Sequence, residues 1–537
     1  MSPRLHYPDG YELASCSSID SQGTFNLDEA DFESQRPPRH RRLLHRVPLV
    51  SRLVSPAYWG YHRLQSSRPF LSKSPPHRCR RRLLRHIFFY IRAVAGIILA
   101  LLIFTAIFQP SYTRPPPHYA ALREAISQSK ASGRGNLRQE RIFIAVSLYD
   151  RDGGLARGQW GSQLLQLIDL LGEENVFLSV YENDSGSEGE NALRDLERQV
   201  SCNKSIVFEE HLDLHDFPRV IIPGGSHRVV RVEYLAEVRN RALRPLDESP
   251  AIRYDKLLFL NDVMFDPVDI LHLLFSTNLG GDGVTRYRAA CAIDFENPFK
   301  FYDTYATRDL QGYSMGLPFF PWFTTAGEGQ SRKDVLAGTD AVRVRSCWGG
   351  AVAFDAQYFQ HSTSPTTGEG ALKLDTAGPE NRWDNPPARF RAPQELFWEA
   401  SECCLIHADI QPGHLNVNEV VDSGIYLNPF VRVAYGSRTL SWLWTTRRVE
   451  RLYRLIHNIG NHLVGLPRFN PRRAEIPGQR VERSVWVPNG NEEYGGSFET
   501  VEQIVDKGGY CGRPGLQVIV ENREEGQAAW ESIPLPA

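Results

Sequence analysis

Tyr254 to Asp266 reads Tyr-Asp-Lys-Leu-Leu-Phe-Leu-Asn-Asp-Val-Met-Phe-Asp, and its chemistry lies in Asn261 and Asp262. Adjacent amide and carboxylate oxygens are hard donors, suited to Mg²⁺ or Mn²⁺ on a nucleotide diphosphate. The bland alternative is that Asp262 caps a turn. Other groups of the same kind recur along the chain. Glu182-Asn183-Asp184-Ser185 is suited to hydrogen-bonding a base or ribose, and Asp294 closes another apolar run. Arg239-Asn240 offers a guanidinium that can grip a diphosphate with two donors. Gly349-Gly350 permits close backbone approach to a ligand. Glu395, Glu399 and Glu402 lie in one segment, followed by His407, a candidate third metal ligand, and Asp409.

These residues need elements to hold them. Leu257 to Leu260 is a continuous apolar run, the pattern of a strand buried on both faces. Asp266-Pro267 then gives an N-cap and a first helical residue, so the local order is strand, acidic turn, helix. Ile142 to Leu148, Val176 to Tyr181, Ser205 to Phe208 and Ala289 to Ile293 read as further strands. Leu155 to Leu171, Asn191 to Val200 and Val229 to Leu243 read as helices between them. Alternation of this kind predicts an α/β fold with a mostly parallel central sheet. Acidic residues at strand ends then share the edge where such sheets bind ligands. Gly154, Gly158 and Gly161 do not spell GxGxxG, which argues against a dinucleotide-binding Rossmann unit.

The chain has 537 residues, 42% of them hydrophobic, enough for a substantial core, and a net charge of -2 that argues against nucleic-acid binding. Residues 1–86 are basic and rich in Ser and Pro, read as a disordered cytosolic tail. Ile87 to Phe108 is an apolar run of roughly 33 Å as a helix, long enough to cross a bilayer. Arg78, Arg80, Arg81, Arg82 and Arg85 flank its amino end, so the positive-inside rule places the bulk of the chain in the lumen. The expected order is tail (1–86), transmembrane helix (87–108), stem (109–138), catalytic body (139–465) and a loosely packed Pro/Gly-rich extension (466–537). His361 to Pro387 reads as an exposed loop, and Ser437 to Ile459 as one amphipathic, Arg-rich helix. Six of the eight Cys follow the apolar run, compatible with disulfides in an oxidising compartment.

FIAVSLYDRDG, SVYENDSGS, EYLAEVRNRAL, KLLFLNDVMF, AACAIDF, FYDTYATRDLQG, CWGGAVAF and EASECCLIHAD occur in that order. Together they resemble the fungal capsule-associated and cryptococcal α-1,3-mannosyltransferases, glycosyltransferase family 69, from about Arg141 to Tyr435. The resemblance implies a GT-A-type fold and transfer of mannose from GDP-mannose to a mannose-containing glycan in α-1,3 linkage. The apolar run and its flanking arginines make the expected arrangement a single-pass type II protein, in the Golgi or another secretory-pathway membrane. Asn261-Asp262 would stand where such enzymes carry an Asp-x-Asp metal motif, with one carboxylate instead of two. By the same similarity Glu182 would face the nucleotide, Arg239-Asn240 the diphosphate sugar, and Trp348-Gly349-Gly350 the sugar and acceptor. Glu402 would be the acidic residue that closes the site and supports positive charge on the sugar, with Glu395 as the second candidate. Rival readings are a glycosidase, which needs two catalytic carboxylates and no nucleotide site, and a membrane-anchored glycan-binding scaffold.

Two N-glycosylation sequons, at Asn183 and Asn203, fall in the body. Asn183 is expected to stay unmodified, because a glycan there would block the proposed nucleotide site. In sealed microsomes protease should remove the Arg-rich tail and spare the body; the reverse pattern would invert the topology.

Overall fold

The structure is a computed structural model that describes residues 77–361, 386–412, 421–489, 496–521 and 527–536. Most of the basic tail, with Cys16, and most of the polar loop after His361 lie outside the described residues. The chain divides into two compact units, Ile19–Leu101 and Met1–Ser18 with Leu102–Ala537. The described part of the first is helical, the beginning of α1 (His77–Phe108). Leu84–Phe108 within α1 is the one stretch among the described residues long and apolar enough to cross a membrane.

In the second unit α2 (Tyr119–Gln128) precedes β1 (Ile142–Leu148), α3 (Gln159–Leu171), β2 (Val176–Asn183), α4 (Gly186–Gln199) and β3 (Asn203–Glu209). β4 (Arg219–Ile221) and β5 (His227–Val229) form a hairpin before α5 (Arg231–Arg241), α6 (Arg244–Glu248), β6 (Lys256–Leu260) and α7 (Pro267–Phe275). β7 (Ala289–Asn297), β8 (Lys300–Phe301), β9 (Arg308–Asp309), α8 (Gln330–Ala337), β10 (Val342–Ser346) and β11 (Ala351–Asp355) follow. The remainder is β12 (Trp398–Ala400), α9 (Glu402–Ile410), β13 (Ile425–Ala434), α10 (Ser437–Thr446) and α11 (Arg454–Val464). Last come β14 (Arg480–Val487), β15 (Ser497–Ile504), β16 (Gly512–Pro514), β17 (Gln517–Ile519) and β18 (Trp530–Ser532).

The fold is mixed α/β around one ten-stranded sheet, ordered β3-β2-β1-β6-β11-β7-β13-β10-β9, with β8 on β7. β3, β2, β1 and β6 are mutually parallel, and β7 and β13 run the same way; β11, β10 and β8 run against them. Every residue of β1 and β6 is buried, because both faces of the sheet are covered. Phe143, Leu257 and Phe259 join one core, while Ile144, Leu258 and Leu260 join the other with Trp160, Leu164 and Leu167 of α3. α7 starts as its sequence dictates: the Asp266 side chain accepts from the Val268 amide at 2.8 Å, with Pro267 in the first turn.

Within the expected stem, Tyr119 of α2 is buried, stacks on His272 at 4.0 Å and accepts from Asn428 Nδ2. Two expectations are corrected. Ser437 to Ile459 is not one helix; a turn around Glu450 separates α10 from α11. The segment after residue 466 is not loosely packed. β16 pairs with β12, Tyr510, Cys511 and Val518 are buried, and Cys511 is bonded to Cys404 of α9. A second disulfide joins Cys291 of β7 to Cys347. Pro and Gly suppress the local signal of structure here, and the ordering comes from partners far away in sequence.

The Cys404–Cys511 bridge spans a sequence separation of 107 residues. Replacing both by Ser removes a long cross-link and should cost roughly 2–4 kcal/mol of stability. A thermal melt of the full chain checks this. An unshifted melting temperature would show that β16 is held by pairing alone.

Candidate active site

β1, β2, β6 and β7 point the same way, so their carboxyl ends lie along one edge of the sheet. The sequence there supplies Ser147, Glu182, Asn261-Asp262 and Asp294. Asp262 is half-buried at the edge, while Asn261 beside it is buried. Three bonds fix this strand end. The Asn261 amide donates to the Gly350 carbonyl at 2.9 Å, Trp160 Nε1 donates to the Asn261 carbonyl at 3.0 Å, and Trp348 Nε1 donates to Asn261 Oδ1 at 3.3 Å. Asn261 is thus the brace of the turn, and its amide oxygen is already engaged.

The turn opposite is made by Gly349 and Gly350, both at positive φ, 60° and 70°. A Cβ on Gly349 would collide with the Ala292 carbonyl, and one on Gly350 would meet Val263 Cγ1 at 2.8 Å. The two glycines serve close approach, as expected, but what approaches is β7 and the Val263 loop. Trp348 is buried and packs on Phe259 and Phe390.

Arg239 is the hub. Its Nε donates to Glu402 Oε1 at 3.0 Å, one guanidinium nitrogen reaches Ser147 Oγ at 3.3 Å, and the group lies 5.1 Å from the Trp348 ring centre. Arg239 and Glu402 are both almost wholly buried. Glu402 opens α9, after Ser401, whose hydroxyl accepts from the Cys403 amide. A network therefore runs from the end of β1 through α5 and α9 to Trp348 and the Asn261 turn.

At the end of β2 Glu182 is fully buried, and neither carboxylate oxygen has a hydrogen-bond partner. Burial pushes its carboxyl from the ordinary 4.5 to about 7. Ser185 and the Asp150 amide lie close enough to temper the rise, and the Ser185 hydroxyl accepts from that amide. Asn183 is buried and donates to Tyr234 OH at 2.7 Å, whereas Asn203 is exposed at the start of β3. Asp184 takes a left-handed backbone, φ 62°, and meets His211 at 2.6 Å. Asp294 is buried next to Asp303, accepting from the Asp303 amide and from Tyr435 OH; burial drives both carboxyls upward.

Three sequence candidates stand elsewhere. Both sides of the Asn240 amide bond the Phe390 backbone at 2.8 Å, so Asn240 anchors that loop. His407 lies between Cys291 Sγ and the Phe354 ring, with Nδ1 on the Cys403 carbonyl. Cys291 and Phe354 are level with Phe259 and Leu257, so His407 packs against the middle of these strands and not at their carboxyl ends. Its near cysteines, Cys291 and Cys347, are joined to each other and supply no thiolate for a metal. Burial lowers its imidazole to about 4. Glu395 is held by Arg472 and Arg483, each at 2.7 Å, at the C-terminal extension.

One group was named in the sequence but given no role there. Glu399 of β12 lines a cavity of about 350 Å³ walled by Val230, Phe397 and Leu516. Its Oε1 has no hydrogen-bond partner, and burial raises its carboxyl. The volume suits a small ligand, roughly 300–1,000 Å³ being usual. Nothing local in the sequence distinguished Glu399 from Glu395, since much of the cavity wall comes from residues 218–233 and 515–517, more than a hundred positions away on either side.

The sequence model of the family described as cryptococcal mannosyltransferase 1 matches residues 141–409. No curated protein matches the chain. Among solved structures, the mannosyltransferase PcManGT of Pyrobaculum calidifontis, in complex with GDP-Man and Mn²⁺, is similar at 11% identity and TM-score 0.28, over 72% of this chain and 77% of that one. Glucosyl-3-phosphoglycerate synthase of Mycobacterium tuberculosis, with Mn²⁺, UDP and phosphoglyceric acid, is similar at 12% identity and TM-score 0.29, over 75% and 96%.

Glu182 carries a pH signature. A carboxyl that keeps its proton up to about 7 when folded, against 4.5 otherwise, binds more protons in the folded state between those values. Its contribution to stability is therefore greatest in acid and is lost as pH rises from 4.5 to 7, by up to about 3 kcal/mol. Glu182→Gln should flatten that part of the stability–pH curve relative to wild type. Superimposable slopes would mean the carboxyl is ionised and paired.

Proposed function

This chain belongs to the cryptococcal mannosyltransferase 1 family, and on that premise we propose that it transfers mannose from GDP-mannose to a mannose-containing glycan in α-1,3 linkage. The chain is a glycosyltransferase; donor, linkage and acceptor are the proposal. The observation that carries the reading is the network joining Arg239, Glu402, Trp348 and the Asn261-Asp262 turn at one sheet edge. A hydrolase reading finds less support, since Glu402 is neutralised by Arg239 and Glu395 by two arginines.

Asp262 fits a divalent cation, Mn²⁺ or Mg²⁺, by its donor chemistry: a partly exposed carboxylate beside an edge that receives a diphosphate. With only this carboxylate at the turn, the diphosphate itself would supply much of the coordination. When bound, such an ion offsets charge on the leaving oxygens. The protein's own groups supply the rest. Arg239 faces the diphosphate with a guanidinium that Glu402 and Ser147 hold in place. As the phosphate draws on that guanidinium, Glu402 is less neutralised and supports positive charge at the anomeric carbon. Glu182 meets the nucleoside, where a ligand hydroxyl or N–H satisfies its oxygens. We propose the α1 stretch as the anchor of a single-pass type II protein of the secretory pathway, with the body lumenal.

The full chain, incubated with GDP-mannose, UDP-sugars and mannose oligosaccharides, should form an α-1,3-mannosyl product from GDP-mannose. Tighter binding of UDP than GDP would sink the donor assignment. Release of mannose from α-mannosides without GDP would favour a glycosidase. Asp262→Asn should lower kcat on the order of a thousandfold, with less than about 1 kcal/mol change in stability. Near-normal turnover with an unaltered metal titration would remove Asp262 from the site.

A further inference from the structure

α11 is folded inside out. Its buried side chains are His457 and Asn461, and both are polar. They are fully used inward: His457 Nε2 meets the Leu317 carbonyl at 3.1 Å, Arg332 and Asn461 both meet His457 Nδ1 at 2.9 Å, and the Leu317 amide donates to Asn461 Oδ1 at 2.8 Å. Its opposite face is apolar and lies open. Leu455, Ile456, Ile459 and Leu463 fall at helical spacing on that face and are 59–78% exposed. A helix of a soluble domain buries such a stripe and turns its polar side to water. Just before it, Trp442 and Trp444 of α10 are each 51% exposed.

What covers this face is indicated by where α1 ends. α1 stops at Phe108, and the Ser111 amide donates to the Arg447 carbonyl at 2.9 Å, at the end of α10. Arg447 in turn donates to the Tyr112 carbonyl at 3.2 Å. Three residues of chain reach at most roughly 11 Å. Trp444 is three residues before Arg447, about one helical turn away. If α1 spans the bilayer, Trp442, Trp444 and α11 therefore stand beside the point where it leaves the membrane. The charge pattern agrees. Arg438, Arg448 and Arg454 are exposed around the patch, Arg448 lies 5.4 Å from the Trp444 ring centre, and Glu450, the one acidic residue from 437 to 464, is buried against Arg432. Indole rings at headgroup level, arginines among the phosphates and aliphatic side chains below are the arrangement of a helix lying in a membrane interface.

We propose that the exposed face of α10 and α11 seats the catalytic body on the bilayer surface beside its own anchor. This rests on the reading of α1 as a transmembrane helix. The body then has a fixed orientation: Trp442, Trp444 and the α11 stripe enter the headgroup region of the leaflet into which α1 opens.

The test uses the full chain in phosphatidylcholine vesicles containing some phosphatidylserine, with part of the phosphatidylcholine brominated on its acyl chains. Trp emission should be quenched, and Trp442→Phe with Trp444→Phe should lose at least half of the quenched signal. Leu455→Asp, Ile459→Asp and Leu463→Asp together alter only exposed positions, so the melting temperature should hold. Quenching should fall in this variant, and tryptic cleavage after Arg451 and Arg454 in vesicles should rise severalfold. No quenching of wild type in these vesicles, which hold no other protein, would overturn the proposal and leave the face to a protein partner. Equal quenching in wild type and both variants would also overturn it. Alkaline carbonate extraction separates the anchor: release of the chain sinks the reading of α1, while a retained chain with unquenched Trp sinks only the docking face.

Discussion

A guanidinium and a carboxylate with almost no access to water, Arg239 and Glu402, sit where the working parts of the molecule meet. Taking two such charges out of water is costly unless each is fully paired, and removal of either partner typically costs about 3–5 kcal/mol. That cost constrains everything near them. α5 has to deliver Arg239 to the end of β1, and α9 has to begin at Glu402. Trp348 and Phe390 have to exclude water, and Asn240 holds the Phe390 loop for that purpose. The pair is better understood as a poised charge than as a source of stability. In the proposed reading, a diphosphate at Arg239 would meet a dry, aimed cation whose reorganisation has already been done in folding.

The acidic turn beside it depends on a different constraint. β11 runs against β6, so the chain must reverse immediately before Ala351, in contact with β7. Only residues without a Cβ fit there, and the Gly350 carbonyl released by that turn is what holds Asn261. The Cys291–Cys347 bridge ties the start of the same turn to β7. The position of Asp262 is therefore inherited from backbone geometry on a neighbouring strand.

Half of the ten-stranded sheet, β1, β2, β3, β6 and β7, was legible in the sequence, mainly because buried strands leave continuous apolar runs and the polar residue ending each run marks its edge. Asp262 and Glu182 stood out for that reason, Arg239 for its donor chemistry and Glu402 through the family resemblance; the first two lie at strand ends, and Arg239 and Glu402 are paired with each other. Asn240 and His407 had suitable chemistry but the wrong surroundings. Their partners are backbone groups of Phe390 and Cys403, and no local pattern reveals which side chain will be consumed in that way. The C-terminal extension misled because Pro and Gly hide structure that is supplied by β12 and Cys404. α11 was legible as amphipathic, but periodicity tells only that two faces differ, and which one turns inward is decided by Leu317 and Arg332.

β12, the strand that leads directly into Glu402, has β16 as its partner, more than a hundred residues onward. While the chain is being synthesised, residues 398–400 therefore wait for residues 512–514 before their backbone groups are paired. The family-matching region can be complete and its main sheet assembled while the segment carrying its central carboxylate is still unsupported. Maturation of the site is thus tied to the arrival of the far end of the polypeptide. A message cut short after residue 465 would encode every candidate catalytic residue and still leave β12, which leads into Glu402, without its partner strand.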